Sequence, residues 1–189
     1  PSPPGRRFVR PRTSWFVCAL VLGLLAAAAT SAPARERDTI RRENAHPGAL
    51  DWQLTKVGLR GPEGIRARGI EGYCSRQSVR AGERIEFFVS TDPPAPFRIE
   101  VFRLGYYGGR GARLMTTLGP LEGVTHPDPA PGEKNLHECR WEASAGLVIP
   151  DDWTSGVDLG RLTVIPADEE HAAWQSYVIF IVAEIGRAH

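Results

Sequence analysis

Between Ile70 and Val182 the chain runs as short apolar segments, each broken after a few residues by proline, glycine or a polar turn. That punctuation limits the fold more than any other feature of the sequence. Residues 84–91 alternate, with Ile85, Phe87 and Val89 on one side and Glu86 and Phe88 on the other, as a half-buried strand does. Asp92-Pro-Pro-Ala-Pro96 ends this segment, because proline has no N–H for a ladder. Residues 97–104 alternate again, with Phe97, Ile99 and Val101 opposite Arg98 and Glu100. Further short strands are expected at 70–75, 112–118, 136–142, 157–165 and 175–182, and 147–149 leads into a turn at 150–156. No amphipathic helix alternates with them, which argues against a doubly wound sheet. The expectation is an all-β fold, an immunoglobulin-like antiparallel β-sandwich of about seven strands.

Composition agrees with a folded chain. The 189 residues are 42% hydrophobic and 24% charged, with a formal charge of +1. A field that weak gives no reason to expect a nucleic-acid partner. Part of the basic charge also lies in Arg6, Arg7, Arg10 and Arg12, ahead of an apolar run from Trp15 to Ala29. That run is about fifteen residues, short of the roughly twenty that a spanning helix needs. Small residues follow it at Thr30-Ser31-Ala32, so residues 1–32 read as a signal peptide and the protein as exported. Membrane contact is expected only through this signal.

Residues 33–69 read as a solvated spacer and an irregular, glycine-rich lead-in, with Trp52 and Leu54 as anchors onto a domain at 70–182. The hexapeptide Glu184-Ile-Gly-Arg-Ala-His189 resembles a translated sequencing adapter, so 183–189 are expected to be a non-native tail and the chain a fragment. Without the signal, two cysteines remain. In an oxidising compartment Cys74 and Cys139 are candidates for a disulfide, the alternative being two buried free thiols.

The densest chemistry lies in Phe102-Arg-Leu-Gly-Tyr-Tyr-Gly-Gly-Arg-Gly-Ala-Arg-Leu-Met115. Its glycines lack the Lys-Ser/Thr and the following helix of a phosphate loop, so a tight turn with positive φ is expected. Tyr106, Tyr107, Arg110 and Arg113 form a candidate contact surface for a sugar ring or a neighbouring domain. His137 and Cys139 share a strand face but are two ligands where structural zinc takes four. Asp151-Asp152 and Glu169-Glu170 sit on turns, without the shielded separation that acid–base work needs. No catalytic or metal-binding residue is assigned.

An ordered set of motifs carries a resemblance. These are Ile70-Glu-Gly-Tyr-Cys-Ser-Arg-Gln-Ser-Val79, Phe88-Val-Ser-Thr91, the 102–115 segment, Cys139-Arg-Trp141, Ile149-Pro-Asp-Asp-Trp-Thr-Ser-Gly156 and Ser176-Tyr-Val-Ile-Phe180. Over about Gly69 to Val182 the chain resembles the N-terminal part of proteins similar to the large (beta) subunit of N,N-dimethylformamidase. Asp158 departs from the pattern, which has an aromatic residue there. The resemblance implies a β-sandwich ahead of a larger amidohydrolase-like domain that hydrolyses a formamide bond. It places the family's iron, held by tyrosine and glutamate, in that later domain, so no cofactor is expected in this fragment. The partner implied is the downstream domain. The alternative is a cell-surface module that binds carbohydrate or protein and has no enzymatic role.

Overall fold

The computed structural model describes residues 32–58, 68–168 and 173–184, with side chains from 38 onward. The signal segment up to residue 31, part of the lead-in and most of the C-terminal tail lie outside the described residues. The chain forms two compact units, residues 1–41 and 42–189. One helix, α1 (Ala32–Asn44), spans the boundary between them in sequence. No helix among the described residues is long and apolar enough to cross a membrane.

Among the described residues the second unit carries eight strands: β1 (Glu71–Cys74), β2 (Ser78–Val79), β3 (Arg84–Ser90), β4 (Phe97–Leu104), β5 (Ala112–Leu121), β6 (Ala145–Val148), β7 (Gly156–Val164) and β8 (Gln175–Val182). They form a three-stranded sheet in the order β1-β3-β6 and a five-stranded sheet in the order β2-β8-β7-β4-β5. This is the expected all-β, immunoglobulin-like sandwich. Its first strand is split between the sheets. β1 pairs with β3, the chain crosses over at 75–77, and β2 pairs with β8. The β2–β8 pair is parallel, a departure from the all-antiparallel expectation. The crossover itself causes it, since β2 reaches the second sheet without a hairpin to reverse its direction.

The alternation read from the sequence becomes the core. Ile85, Phe87 and Val89 of β3 face Phe97, Ile99 and Val101 of β4, and Leu162, Val178 and Phe180 join them. Each large side chain sealed here contributes about 1.5–3 kcal/mol. Gly160 lies on the inner row of β7, where a Cβ would stand 2.7 Å from Val178 Cγ2. Only a residue without a side chain lets the two strands keep that spacing.

Two departures from the sequence reading have clear causes. The strand expected at 136–142 is absent, apart from an isolated bridge between Pro131 and His137. Trp141 there packs sideways onto Tyr73 and His126, so its apolar character serves loop packing rather than a ladder. Ser144 follows and completes the edge of β3 with its hydroxyl, which accepts from Val89 N at 3.0 Å and donates to Val89 O.

The lead-in is also more engaged than a spacer. Residues 47–57 lie along the outer face of the five-stranded sheet. Ala49 bridges to Ala112, Arg161 donates to the carbonyls of Asp51 and Gln53, and Tyr177 Oη donates to Trp52 O. Gln175 Oε1 accepts from Thr55 N at 2.8 Å, and Gln175 N donates to Lys56 O. Trp52 takes part through its carbonyl, which accepts from Tyr177, and its Nε1, which donates to Arg110 O.

Candidate functional site

The candidate site is the hairpin that joins β4 to β5. Its glycines take the conformations that the turn requires: Gly108, Gly109 and Gly111 have φ of +66°, +85° and +86°. Gly105 N donates to Gly111 O at 3.0 Å and closes the loop.

Within the loop the two tyrosines part. Tyr106 points outward and is 70% exposed, while Tyr107 is buried. Tyr107 Oη donates to Glu43 Oε1 at 2.7 Å, and Arg113 Nη1 donates to the same oxygen at 2.8 Å. Asn44 Oδ1 accepts from the backbone N–H of Tyr106 and of Tyr107. Of the four residues in the expected contact surface, then, Tyr106 and Arg110 are exposed, while Tyr107 is turned inward and Arg113 is tied to Glu43.

Electrostatics support a fixed tyrosine. Burial pushes the Tyr107 phenol above its ordinary range, and the Glu43 carboxylate beside it adds to the rise. For Glu43, burial alone would raise the carboxyl, but hydrogen bonds from Tyr107 and Arg113 outweigh it and hold the group below its usual value. Neither group is poised to exchange a proton near neutral pH.

Deeper in the same hairpin, Arg103 and Asp158 pair across the β4–β7 register, both sealed from solvent. Arg103 Nε and Nη2 each donate to a carboxylate oxygen of Asp158 at 3.1 Å. Its Nη1 reaches Thr154, and its guanidinium lies 5.8 Å from the centre of the Trp153 ring. Burial nevertheless raises the Asp158 carboxyl to about 6, against the pull of Arg103. Sequence reasoning singled out Asp158 only as a departure. It missed Arg103, Glu43 and Asn44, because their partners stand 55 or more residues away.

A second feature lies on the outer face of the three-stranded sheet. Phe88 stacks on Tyr73 at 4.8 Å, Tyr73 meets Trp141 at 5.3 Å, and Trp141 stacks on His126 at 4.9 Å. Residues 126–141 form a groove of about 440 Å³ beside this row. The loop also decides the cysteines. Tyr73 is on the outer face, where its hydroxyl donates to Cys139 O at 3.4 Å. Its neighbour Cys74 therefore points to the opposite face, against the core. Cys74, half-buried, and Cys139, exposed, are both free thiols in the structure. Burial pushes the Cys74 thiol up to about 12.

His137 Nδ1 donates to Pro129 O at 3.1 Å, and no group of three or more His, Cys, Asp or Glu gathers among the described residues. A tyrosine and a glutamate do meet, at Tyr107 and Glu43, where Arg113 shares the same carboxylate oxygen with the phenol.

Residues 98–189 match the family model described as N,N-dimethylformamidase beta subunit-like, C-terminal. No curated protein and no solved structure matches the chain. The description speaks of a C-terminal region, while the sequence resemblance set these motifs in the N-terminal part of the larger protein; the two agree on the family. Residues 98–189, which run from β4 through β8, are similar to the N,N-dimethylformamidase beta subunit-like family.

Proposed function

We propose that this chain is a non-catalytic β-sandwich portion of an exported N,N-dimethylformamidase-like amidohydrolase, whose reaction takes place in another domain. The observation that carries the reading is the use made of its buried polar groups. Arg103, Asp158, Arg161, Glu100, Glu43 and Tyr107 spend hydrogen bonds on one another, on the backbone and on neighbouring side chains such as Arg113 and Thr154. A hydrolase site needs a nucleophile and a base facing a space that substrate can enter, and these groups face each other. On this reading the family's iron lies in the other domain, where the sequence resemblance places it. The word subunit in the family description supports a partner of that kind.

The exposure of Tyr106 favours a second reading, in which the sandwich is a binding module for a cell-surface carbohydrate. Two measurements test the first. Purified residues 33–183 should release no dimethylamine from N,N-dimethylformamide, and measurable turnover would overturn the assignment. Expressed with its signal, the protein should be recovered outside the cytoplasm with residue 33 at its N-terminus. Retention of the intact N-terminus in the cytoplasm would remove export from the reading.

A further inference from the structure

The connection between β5 and β6 builds the groove beside the aromatic row of the three-stranded sheet. Thr125 Oγ1 donates to Thr91 O at 2.6 Å, and His126 N donates to Ser90 Oγ at 2.9 Å; these bonds pin one end. Trp141 N donates to Tyr73 Oη at 3.3 Å and pins the other. Residues between 126 and 141 line a space of about 440 Å³, within the roughly 300–1,000 Å³ of small-molecule sites. His126, Glu138, Arg140 and Trp141 are among its walls. A loop fixed at both ends has less entropy to lose on binding.

One polar atom of this wall lacks a partner. Trp141 Nε1 is the one buried side-chain nitrogen or oxygen without a hydrogen bond among the described residues. Buried polar groups are otherwise almost always bonded, so this orphan donor points to an acceptor that arrives from outside the chain. Glu138 and Arg140 are on the same wall, with side chains 58% and 86% exposed. They stand 3.6 Å apart, an ion pair rather than a hydrogen bond, so the carboxylate can still accept and the guanidinium still donate. The other acid of the groove, Asp128, pairs with Arg68 at 3.0 Å. With each acid matched by an arginine, the groove suits an uncharged ligand better than an ion.

A sugar meets those terms. Each hydroxyl donates once and accepts twice, so a few of them can serve Glu138, Arg140 and the Trp141 N–H together. The C–H edges of the sugar ring pack against the aromatic and proline side chains of the wall. A proline-rich peptide also fits aromatic grooves, but its backbone brings mostly acceptors and leaves Glu138 without a donor. We propose that the groove between residues 126 and 141 is a saccharide-binding site, in which Trp141 Nε1 and Arg140 donate to ligand hydroxyls and Glu138 accepts from one. An acceptor that seats there and shifts the wall slightly takes the Trp141 bond. The site is on the other sheet from the β4–β5 hairpin and does not depend on the function proposed above.

The test is calorimetric titration of the full chain with neutral probes: maltotriose, cellotriose and triacetylchitotriose. At least one should bind at millimolar concentration or below. Arg140→Ala should weaken that binding by about tenfold or more, and Trp141→Phe, which removes the N–H and keeps an aromatic ring, by about fivefold. The thermal midpoint of Arg140→Ala should hold, since the side chain is exposed. Tyr106→Ala should bind as the unchanged chain does. Unchanged binding in both Arg140→Ala and Trp141→Phe would overturn the inference, and loss confined to Tyr106→Ala would move the sugar to the hairpin. Failure of all the sugars would overturn it too; a decaproline peptide that binds instead, and is lost in Trp141→Phe, would make the groove a peptide site. None of these outcomes touches the assignment of the reaction to another domain, which turnover by residues 33–183 tests.

Discussion

Asp158 shows how much can rest on one side chain in this protein. It is fully buried, and the guanidinium of Arg103 gives each of its oxygens a hydrogen bond. Removing one member of such a pair leaves the other charge in the interior uncompensated. Asp158→Ala should therefore lower the unfolding free energy by about 3–5 kcal/mol in urea denaturation. Burial and pairing oppose one another at this carboxyl, and burial prevails, raising it from 3.8 to about 6. The folded state then binds more protons than the unfolded chain between those values. Its contribution is fully present below 3.8 and is lost as pH rises through about 6. Relative to Asp158→Asn, the unchanged protein should lose stability as pH rises across that window. A constant difference would contradict the raised carboxyl. Asp158 was visible in the sequence as an anomaly, an acid where the family pattern has an aromatic residue. Its partner was not, because a register between β4 and β7 is set by the packed sheet and not by local pattern.

At the scale of elements, alternation and punctuation identified β3, β4, β7 and β8 because those strands are long and at least one face of each is buried. The same signal failed at 136–142, where Trp141 serves packing across the outer face. It was silent on 47–57, which bury little of their own and are held mainly by hydrogen bonds. Gln175 is the chief fastening of that strap, accepting from Thr55 N and donating to Lys56 O. Gln175→Ala removes the acceptor and leaves the backbone bond. The strap should then open more often, and trypsin should cleave after Lys56 faster than in the unchanged protein while the sandwich stays folded. Equal cleavage rates would show that the remaining bonds suffice.

Over the whole molecule, the two sheets decide the fate of the cysteines. Cys74 is half-buried against the core and Cys139 is exposed in the outer loop, and both are free thiols. Without residues 1–32, the native protein should react with Ellman's reagent at one thiol quickly, Cys139, and at a second only on unfolding. Two silent thiols that appear after reduction would mean that the disulfide forms. The sequence by itself determined the class of fold, the strands with a buried face, the positive-φ turn at Gly108 and Gly109, and the family resemblance. Each of these follows from local periodicity, backbone sterics or an ordered set of motifs. Only the tertiary structure decided that Tyr107 turns inward while Tyr106 stays out, that Glu43 and Asn44 brace the hairpin, and that Arg103 meets Asp158. It also decided that Cys74 packs against the core while Cys139 is exposed. These outcomes depend on which distant strands become neighbours and which face of a sheet each side chain takes. Cooperative packing sets both, and a short window of residues does not contain that information.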